Sequence, residues 1–372
     1  MRIVIDASSL LGRSAGVKTH VYYWIRSLQN VAGSDEVRLF PFVPDCGRLD
    51  HEHSAMGRWR TLASLLFLRF ANADSNPVLE LVLARADVFH ASQHVHNPPW
   101  RLPRLTATIF DMTCWLTPEW HVRANVEATK AYADRVLRRA AGCLANSNSA
   151  RQDAIEILGL DPDRVTTVYP GVAEEFFSVT PEIATDARRK YGLQKPYAFF
   201  LGMLEPRKNL DGLLTAFEQL PTGLRSEIEL VIAGPVGWCH PDTLRRLSPP
   251  PAGVRYLGYV PEEDIPGLTA GALMFVFPSF YEGFGLPVVQ ALAAGVPVIT
   301  SLGSSLEEVA GDAAILVDPK RPDEIAAAIE RLALSPCLQE DLRARGRIRA
   351  ERFHWESCAK ETLEFFHRVA RG

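Results

Sequence analysis

The chain has 372 residues, more than one typical domain and enough for two. Hydrophobic residues make up 47% and charged residues 23%, an ordinary globular balance that excludes long disorder. The net charge of −4 excludes a chain-wide basic footprint, so nucleic acid is not an expected partner, and no apolar run approaches the ~20 residues of a spanning helix.

The opening segment MRIVIDASSLL reads as a buried strand at Ile3–Asp6. It is not a signal peptide, because Asp6 interrupts the apolar stretch and no small-residue cleavage site follows. Further strands are expected at Val37–Phe42, Val88–Phe89, Thr106–Ile109, Cys143–Ala145 and Val165–Val168, with helices at Val17–Gln29, Ala124–Ala141 and Ser149–Leu158. Between them, Arg58–Arg69 mixes basic, aromatic and apolar residues. It fits a helix whose apolar stripe packs on the sheet, or a surface resting on an anionic membrane. The six cysteines are scattered without a CxxC pair, which argues against a disulfide framework or a cysteine zinc site and fits a reducing cytosol. His90, His94 and His96 lie in one run without a carboxylate, and read as a polar loop rather than a metal site. Val172–Tyr191 reads as a link between halves.

The second half alternates regularly. Strands are expected at Tyr197–Met203, Ile228–Ala233, Val254–Tyr259, Leu273–Phe277, Pro297–Thr300 and Ala314–Val317. Helices are expected at Leu210–Leu220, Thr243–Leu247 with Asp242 as its cap, Glu262–Ala270, Val288–Ala294, Leu306–Ala310, Pro322–Leu334 and finally Trp355–Val369. Short apolar strands alternating with helices mean βα units on a parallel sheet, an α/β class whose ligands sit at the carboxyl ends of the strands.

Three segments fall at such ends. In Pro278-Ser-Phe-Tyr-Glu-Gly-Phe-Gly-Leu-Pro287 a strand gives way to a glycine loop and a helix with Pro287 near its start. Backbone N–H groups of Phe284, Gly285 and Leu286 would open that helix and suit a diphosphate. A plain strand–turn–helix connection fits the segment as well. Glu282 makes more sense binding sugar hydroxyls than phosphate. In Gly202-Met-Leu-Glu-Pro-Arg-Lys-Asn209, Arg207 and Lys208 can converge on one phosphate, a fork beside a point charge. In Ser14-Ala-Gly-Val-Lys18, Gly12 and Gly16 either admit a ligand to the backbone or simply turn the chain into its helix. No GxGxxG fingerprint, GxSxG elbow or Walker loop occurs.

These segments match a known pattern. GVKTHVYYWIRSL, TIFDMTCWLTPEW, ANSNSARQDAIEILGLDPDRVTTVYPGV, LGMLEPRKNLDGLLTAF, YLGYVPEEDIPGL, PSFYEGFGLPVVQALAAGVPVITS and EEVAGDAAILVDP resemble retaining glycosyltransferases of family 4, the GT-B branch that builds bacterial surface polysaccharides such as O-antigen. The resemblance runs from near residue 1 to about 355. It implies two Rossmann-like domains facing a central cleft: an acceptor domain at 1–185, a donor domain at 186–353, and a helix at 354–372 returning to the first. It implies that Arg207 and Lys208 hold the donor diphosphate, that Glu282 binds the donor sugar, and that the amides of Phe284, Gly285 and Leu286 bind sugar and phosphate. Gly16 and Gly202 would line the donor site. Thr300 and Ser301 would lie in the loop after the next strand, with Ser305 farther on, and Glu307 and Glu308 would cap a helix.

Two positions depart from the family. Gln290 stands where a second glutamate binds the ribose, and an amide can still accept one hydrogen bond and donate another. Phe110 stands where relatives often carry histidine near the donor sugar, which would favour an apolar substituent such as the methyl of rhamnose or fucose. Asp111 would orient the acceptor hydroxyl or serve structurally. The implied reaction moves a hexose, mannose or a 6-deoxy sugar, from a nucleotide sugar to a hydroxyl of a polysaccharide or lipid-linked glycan, with retention. No cofactor and no divalent metal are expected, and the implied location is the cytoplasm, with peripheral contact at the inner membrane face. Alternatives are a nucleotide-sugar-binding partner subunit without turnover, an epimerase, or a phosphorylase.

Overall fold

The computed structural model describes residues 1–372 except 13–15, 42, 44–46, 48, 50, 52, 55, 73–76, 93–94, 96, 99–103, 240 and 372. The chain forms two compact units, Met1–Gly171 with His354–Gly372, and Val172–Phe353. Among the described residues each is built on a six-stranded parallel sheet.

In the first unit the strands are β1 (Arg2–Asp6), β2 (Glu36–Phe40), β3 (Val88–Ala91), β4 (Arg104–Ile109), β5 (Gly142–Ala145) and β6 (Val165–Thr167). The helices are α1 (Gly16–Val31), α2 (Arg58–Ala71), α3 (Pro77–Leu83), α4 (Thr113–Leu116), α5 (Arg123–Tyr132) and α6 (Asn148–Leu158). The strand order β2-β1-β3-β4-β5-β6 reverses direction between β1 and β3, which makes that edge the switch point. The strands read as apolar runs because both faces are covered: Val4, Phe89, Ala107, Ile109 and Cys143 of one face lie in one buried cluster, and Ile3, Ile5, Val88 and Leu144 of the other are buried as well. The helix expected at Ala124–Ala141 is instead α5 followed by a π-helical turn at Ala133–Leu137. Helix α6 shows why local sequence suffices for some boundaries. Ser147 accepts from the Ala150 N–H at 3.0 Å, and Gly159 ends the helix in the left-handed region at φ 63°.

The second unit holds β7 (Tyr197–Leu201), β8 (Glu229–Ala233), β9 (Val254–Tyr256), β10 (Met274–Phe277), β11 (Val298–Ser301) and β12 (Ala314–Val317). Its helices are α7 (Glu174–Phe177), α8 (Pro181–Lys190), α9 (Leu210–Gln219), α10 (Thr222–Glu227), α11 (Pro241–Arg246), α12 (Ile265–Ala270), α13 (Leu286–Ala293), α14 (Ser304–Ala310), α15 (Pro322–Ala333) and α16 (Pro336–Ala350). The order β12-β11-β10-β7-β8-β9 puts the switch point between β7 and β10. Two corrections follow. Val172–Tyr191 is not a link: it forms α7 and α8, which pack on α13 and α12, so the boundary expected at 185 moves back to 171. Asp242 does not precede its helix; α11 begins at Pro241, and Asp242 lies in the first turn.

Helix α17 (Trp355–Arg371) belongs to the first unit and packs along α1. Trp24 Nε1 donates to Thr362 Oγ1 at 3.1 Å, and Phe365 and Phe366 are buried beneath it. Gly142 of β5 lies so close that a Cβ would stand 2.9 Å from the Phe365 ring.

Candidate active site

The carboxyl edge of the second sheet gathers charge. β7 runs into the loop carrying Arg207 and Lys208, and its neighbour β10 runs into the loop carrying Glu282. The two loops are laced together by their backbones: the Phe280 N–H donates to Arg207 O at 2.9 Å, and Arg207 Nη1 donates to Tyr281 O at 2.9 Å. Asn209 turns the chain into α9 at φ 56°, a conformation asparagine tolerates, and its Nδ2 donates to Pro278 O at 3.1 Å and Pro319 O at 2.6 Å.

The Glu282 carboxylate receives Lys208 Nζ at 2.6 Å and Ser279 Oγ at 2.7 Å on Oε1, and Arg207 Nη1 at 2.5 Å on Oε2. Arg207 also meets Glu205 at 3.3 Å, so two cations balance two carboxylates, with Lys208 and Glu282 buried and the other pair partly so. Lys208 Nζ stands 5.0 Å over the Phe277 ring. Burial alone would push the Glu282 carboxyl up, but the charges of Arg207 and Lys208 with the bonds from Lys208 and Ser279 outweigh it and hold it at about 2. Burial, then the Arg207 charge, press the Lys208 ammonium down, against the pull of Glu282. The carboxylate is thus ionised throughout the neutral range. It can accept hydrogen bonds, and it has no proton to give.

Beside this cluster α13 opens. Gly285 sits at φ 98°, and a Cβ there would stand 2.6 Å from Leu306 Cδ2, so only glycine fits. N–H groups in a helix's first turn have no partner one turn back, and here they open next to Glu282. The Phe284 side chain is buried edge-on to Phe353 at 5.6 Å, which leaves its backbone as the part a ligand could meet. Gln290 is buried one turn farther along α13. Gly202 ends β7 beside the lysine; a Cβ would stand 3.8 Å from Lys208 Cε, which is ordinary contact. Thr300 and Ser301 correct the sequence expectation. They lie in β11, paired with Leu316 and Val317: the strand expected to end at Thr300 runs on to Ser301, so neither lies in the loop that the resemblance implied. Both are buried, and their hydroxyls donate to Phe277 O at 2.9 Å and Ser279 O at 2.6 Å. They shape the edge from below. Ser305 Oγ donates to Glu282 O at 2.7 Å, and Glu307 accepts the Gly303 N–H at 2.9 Å as a helix cap.

The carboxyl edge of the first sheet is different. Gly16 opens α1, and a Cβ there would meet nothing within 4 Å. Phe110 follows β4 and lies edge-on to His20 of α1, with ring centroids 5.4 Å apart. Trp355 packs edge-on to the same imidazole at 5.5 Å. Asp111 turns inward on its own chain, accepting from Thr113 N at 2.9 Å and Thr113 Oγ1 at 2.5 Å. The sequence had not singled out His20. Its ring is buried, desolvation pushes it down to about 3, and its Nδ1 has no hydrogen-bond partner among the described residues. His90 is a core residue: its ring nitrogens meet Thr106 Oγ1 at 3.0 Å and Thr108 Oγ1 at 2.8 Å. His94 and His96 lie outside the described residues. Glu205, Asn209 and Ser279 were also missed. Ser279 stands three residues before Glu282 and Asn209 directly follows Arg-Lys, but spacing did not mark either as a partner.

Residues 184–349 match the family described as Glycosyl transferases group 1, and residues 14–176 match Glycosyltransferase Family 4. O-antigen chain mannosyltransferase B of Escherichia coli is 36% identical over 279 residues, which is 73% of this chain and 73% of the relative. The chain belongs to this glycosyltransferase family. The glycosyltransferase is also 27% identical over 306 residues to the serotype-specific mannosyltransferase WbdA of Escherichia coli, covering 79% of its own length but only 37% of WbdA. In fold it is similar to Anabaena Alr3699/HepE, solved in complex with UDP-glucose, at 19% identity and a TM-score of 0.73 over 99% of the glycosyltransferase and 100% of that chain. Both sheets of the glycosyltransferase are therefore the Rossmann-like halves of a GT-B fold.

Proposed function

We propose that this glycosyltransferase moves a hexose, with retention and without a divalent metal, from a nucleotide diphosphate sugar to a hydroxyl of a polysaccharide or lipid-linked glycan. The observation that carries the reading is the Arg207–Lys208–Glu282 cluster, buried at the switch point of the second sheet beside the opening of α13. The leaving group is a diphosphate anion, so catalytic help is electrostatic: Arg207, Lys208 and the α13 N-terminus stand where negative charge develops. Gly16, Gly202 and the backbone at Phe284, Gly285 and Leu286 complete the donor-binding surface, with Gln290 toward the ribose. Glu282 takes the sugar hydroxyls. Both its oxygens already hold cations, which makes it a poor nucleophile and favours a front-face path in which the departing phosphate accepts the acceptor's proton. The relatives named as mannosyltransferases favour mannose. Phe110 favours a donor with an apolar outer carbon, and so keeps rhamnose and fucose in the comparison. Work at the cytoplasmic face of a membrane fits a lipid-linked acceptor.

The test is a thermal-shift and turnover panel with GDP-mannose, GDP-rhamnose, GDP-fucose and UDP-glucose, each with and without EDTA. A donor at 100 times its dissociation constant raises stability by about 2.7 kcal/mol. Transfer from one of these donors, unchanged by EDTA and giving a product of unchanged anomeric configuration, is the expected result. Inverted product, or loss with EDTA, refutes the mechanism. Binding without turnover in the presence of glycan acceptors would leave the partner-subunit reading, which Gln290 and Phe110 motivate. Release of a new free sugar without acceptor would mean epimerisation.

A further inference from the structure

Helix α2 is inside out. Its residues Trp59, Leu62, Leu66 and Phe70 recur at helical spacing and share one face. That face looks outward: the four are 80%, 49%, 60% and 56% exposed. The opposite face holds the helix to its unit through buried Ser64, Leu68 and Ala71, with Ser64 Oγ donating to Pro41 O at 2.9 Å. Arg58 and Arg69 fall along one side of the outward stripe and Arg60 along the other, and all three are exposed. The helix contains no acidic residue, although the whole chain is net negative at −4. Exposed apolar side chains occur singly on most proteins; a stripe of four, fringed by one sign of charge, marks a contact surface.

We propose that α2 docks this protein on an anionic lipid bilayer, lying along the boundary between headgroups and acyl chains. The stripe from Trp59 to Phe70 extends about 17 Å at the rise of an α-helix, in the plane of the surface. Its apolar side chains enter the boundary layer, and Trp59 suits the headgroup level. The arginines keep their guanidinium groups at lipid phosphates while their stems lie along the apolar edge. A second copy of the chain fits less well. A two-fold contact would bring the same stripe and the same arginines face to face, and four side chains fall well short of the ~800 Å² per partner of a stable interface. The inference concerns where the protein sits and stands apart from the transfer chemistry.

The test is co-sedimentation of the full chain with vesicles of phosphatidylglycerol and phosphatidylcholine, and with vesicles of phosphatidylcholine alone. Wild type should partition to the anionic vesicles and leave them as salt rises. Trp59→Ser with Leu66→Ser should lower partitioning by about tenfold or more. Arg58→Gln with Arg60→Gln and Arg69→Gln should lower it on the order of 100-fold on anionic vesicles, and little on neutral ones. The substituted side chains are exposed, so thermal midpoints should not move. Transfer to a water-soluble acceptor should also persist in every variant. Equal sedimentation of wild type and Trp59→Ser/Leu66→Ser, or no preference for anionic vesicles, overturns the proposal. So does a wild-type dimer in solution that the same double substitution dissolves. Vesicle binding without transfer to any acceptor would sink the functional reading and leave the docking surface standing.

Discussion

Both sheets place a switch point at a carboxyl edge, yet the two edges carry opposite chemistry. The second edge concentrates ions: Lys208 and Glu282 are buried, Arg207 and Glu205 pair with them at partial exposure, and serine and asparagine side chains fasten the loops that hold them. The first edge concentrates rings. Phe110 and Trp355 each pack T-shaped against His20, and the carboxylates are bonded locally, Asp6 at the end of β1 to the Ser8 and Ser92 N–H groups and Asp111 to Thr113. A shared topology thus fixes where a ligand can meet the chain but not what it will meet. Paired ions are built into one edge, and packed rings into the other.

Acid should separate the two edges most strongly. His20 and His90 are held at about 3 by burial, against 6.5 in the unfolded chain, so between those values the unfolded chain binds more protons. Their contribution to stability is complete above pH 6.5 and falls as pH drops toward 3. The slope approaches about 2.7 kcal/mol per pH unit while both differ in charge. Glu282 behaves otherwise: its contribution is complete above pH 4.5 and is lost only as pH falls through about 2. Trp238 is the sole tryptophan outside the first unit, so tryptophan fluorescence reports that unit. At pH 5 it should lose its native signal at lower urea than at pH 7. An identical midpoint at both values would remove the distinction.

Lys208→Ala comes next. It leaves Glu282 buried with one cation fewer, which costs about 3 kcal/mol in the second unit. On the proposed mechanism it should also lower kcat on the order of 10³-fold, by removing a donor from the leaving diphosphate. Asp111→Asn should fall far short of that kinetic loss. Equal losses would mean that charge matters at both edges. Gly285→Ala forces a Cβ against Leu306 at an unfavourable φ, and should cost about 1–3 kcal/mol with a fall in donor affinity. An unchanged urea midpoint would show that the opening of α13 yields. Gln290→Glu should have the smallest effect, a gain of about fivefold in nucleotide affinity by calorimetry, from one stronger hydrogen bond of about 1 kcal/mol. A loss would mean that the amide suits the ribose better.

Much of this was legible in the sequence. The strands of the second unit announce themselves because each is a short apolar run closed by a turn, and the sheet they imply puts Arg207 and Glu282 on one edge. Helix α8 was not, because half of its run PEIATDARRK is charged; tertiary packing of Ala187 against Gly267 fixes it, not periodicity. The resemblance puts Thr300 and Ser301 in a loop, but the strand expected at Pro297–Thr300 already holds the first, and parallel register with β12 carries it on to Ser301. Helix α2 is the instructive case. Its spacing shows that Trp59, Leu62, Leu66 and Phe70 share a face, but periodicity cannot say whether sheet or solvent covers that face. The pairing of Glu282 with both cations was equally out of reach, since it depends on two strands distant in sequence lying side by side.

Helix α17 is part of the first unit: Phe365 and Phe366 fill its core and Thr362 completes the Trp24 hydrogen bond. The second unit, by contrast, is one continuous stretch, Val172–Phe353. On the ribosome, then, the half that begins first finishes last. The central stretch can close its core while the amino-terminal sheet still waits, one helix short, for residues 354–372 to emerge from the exit tunnel.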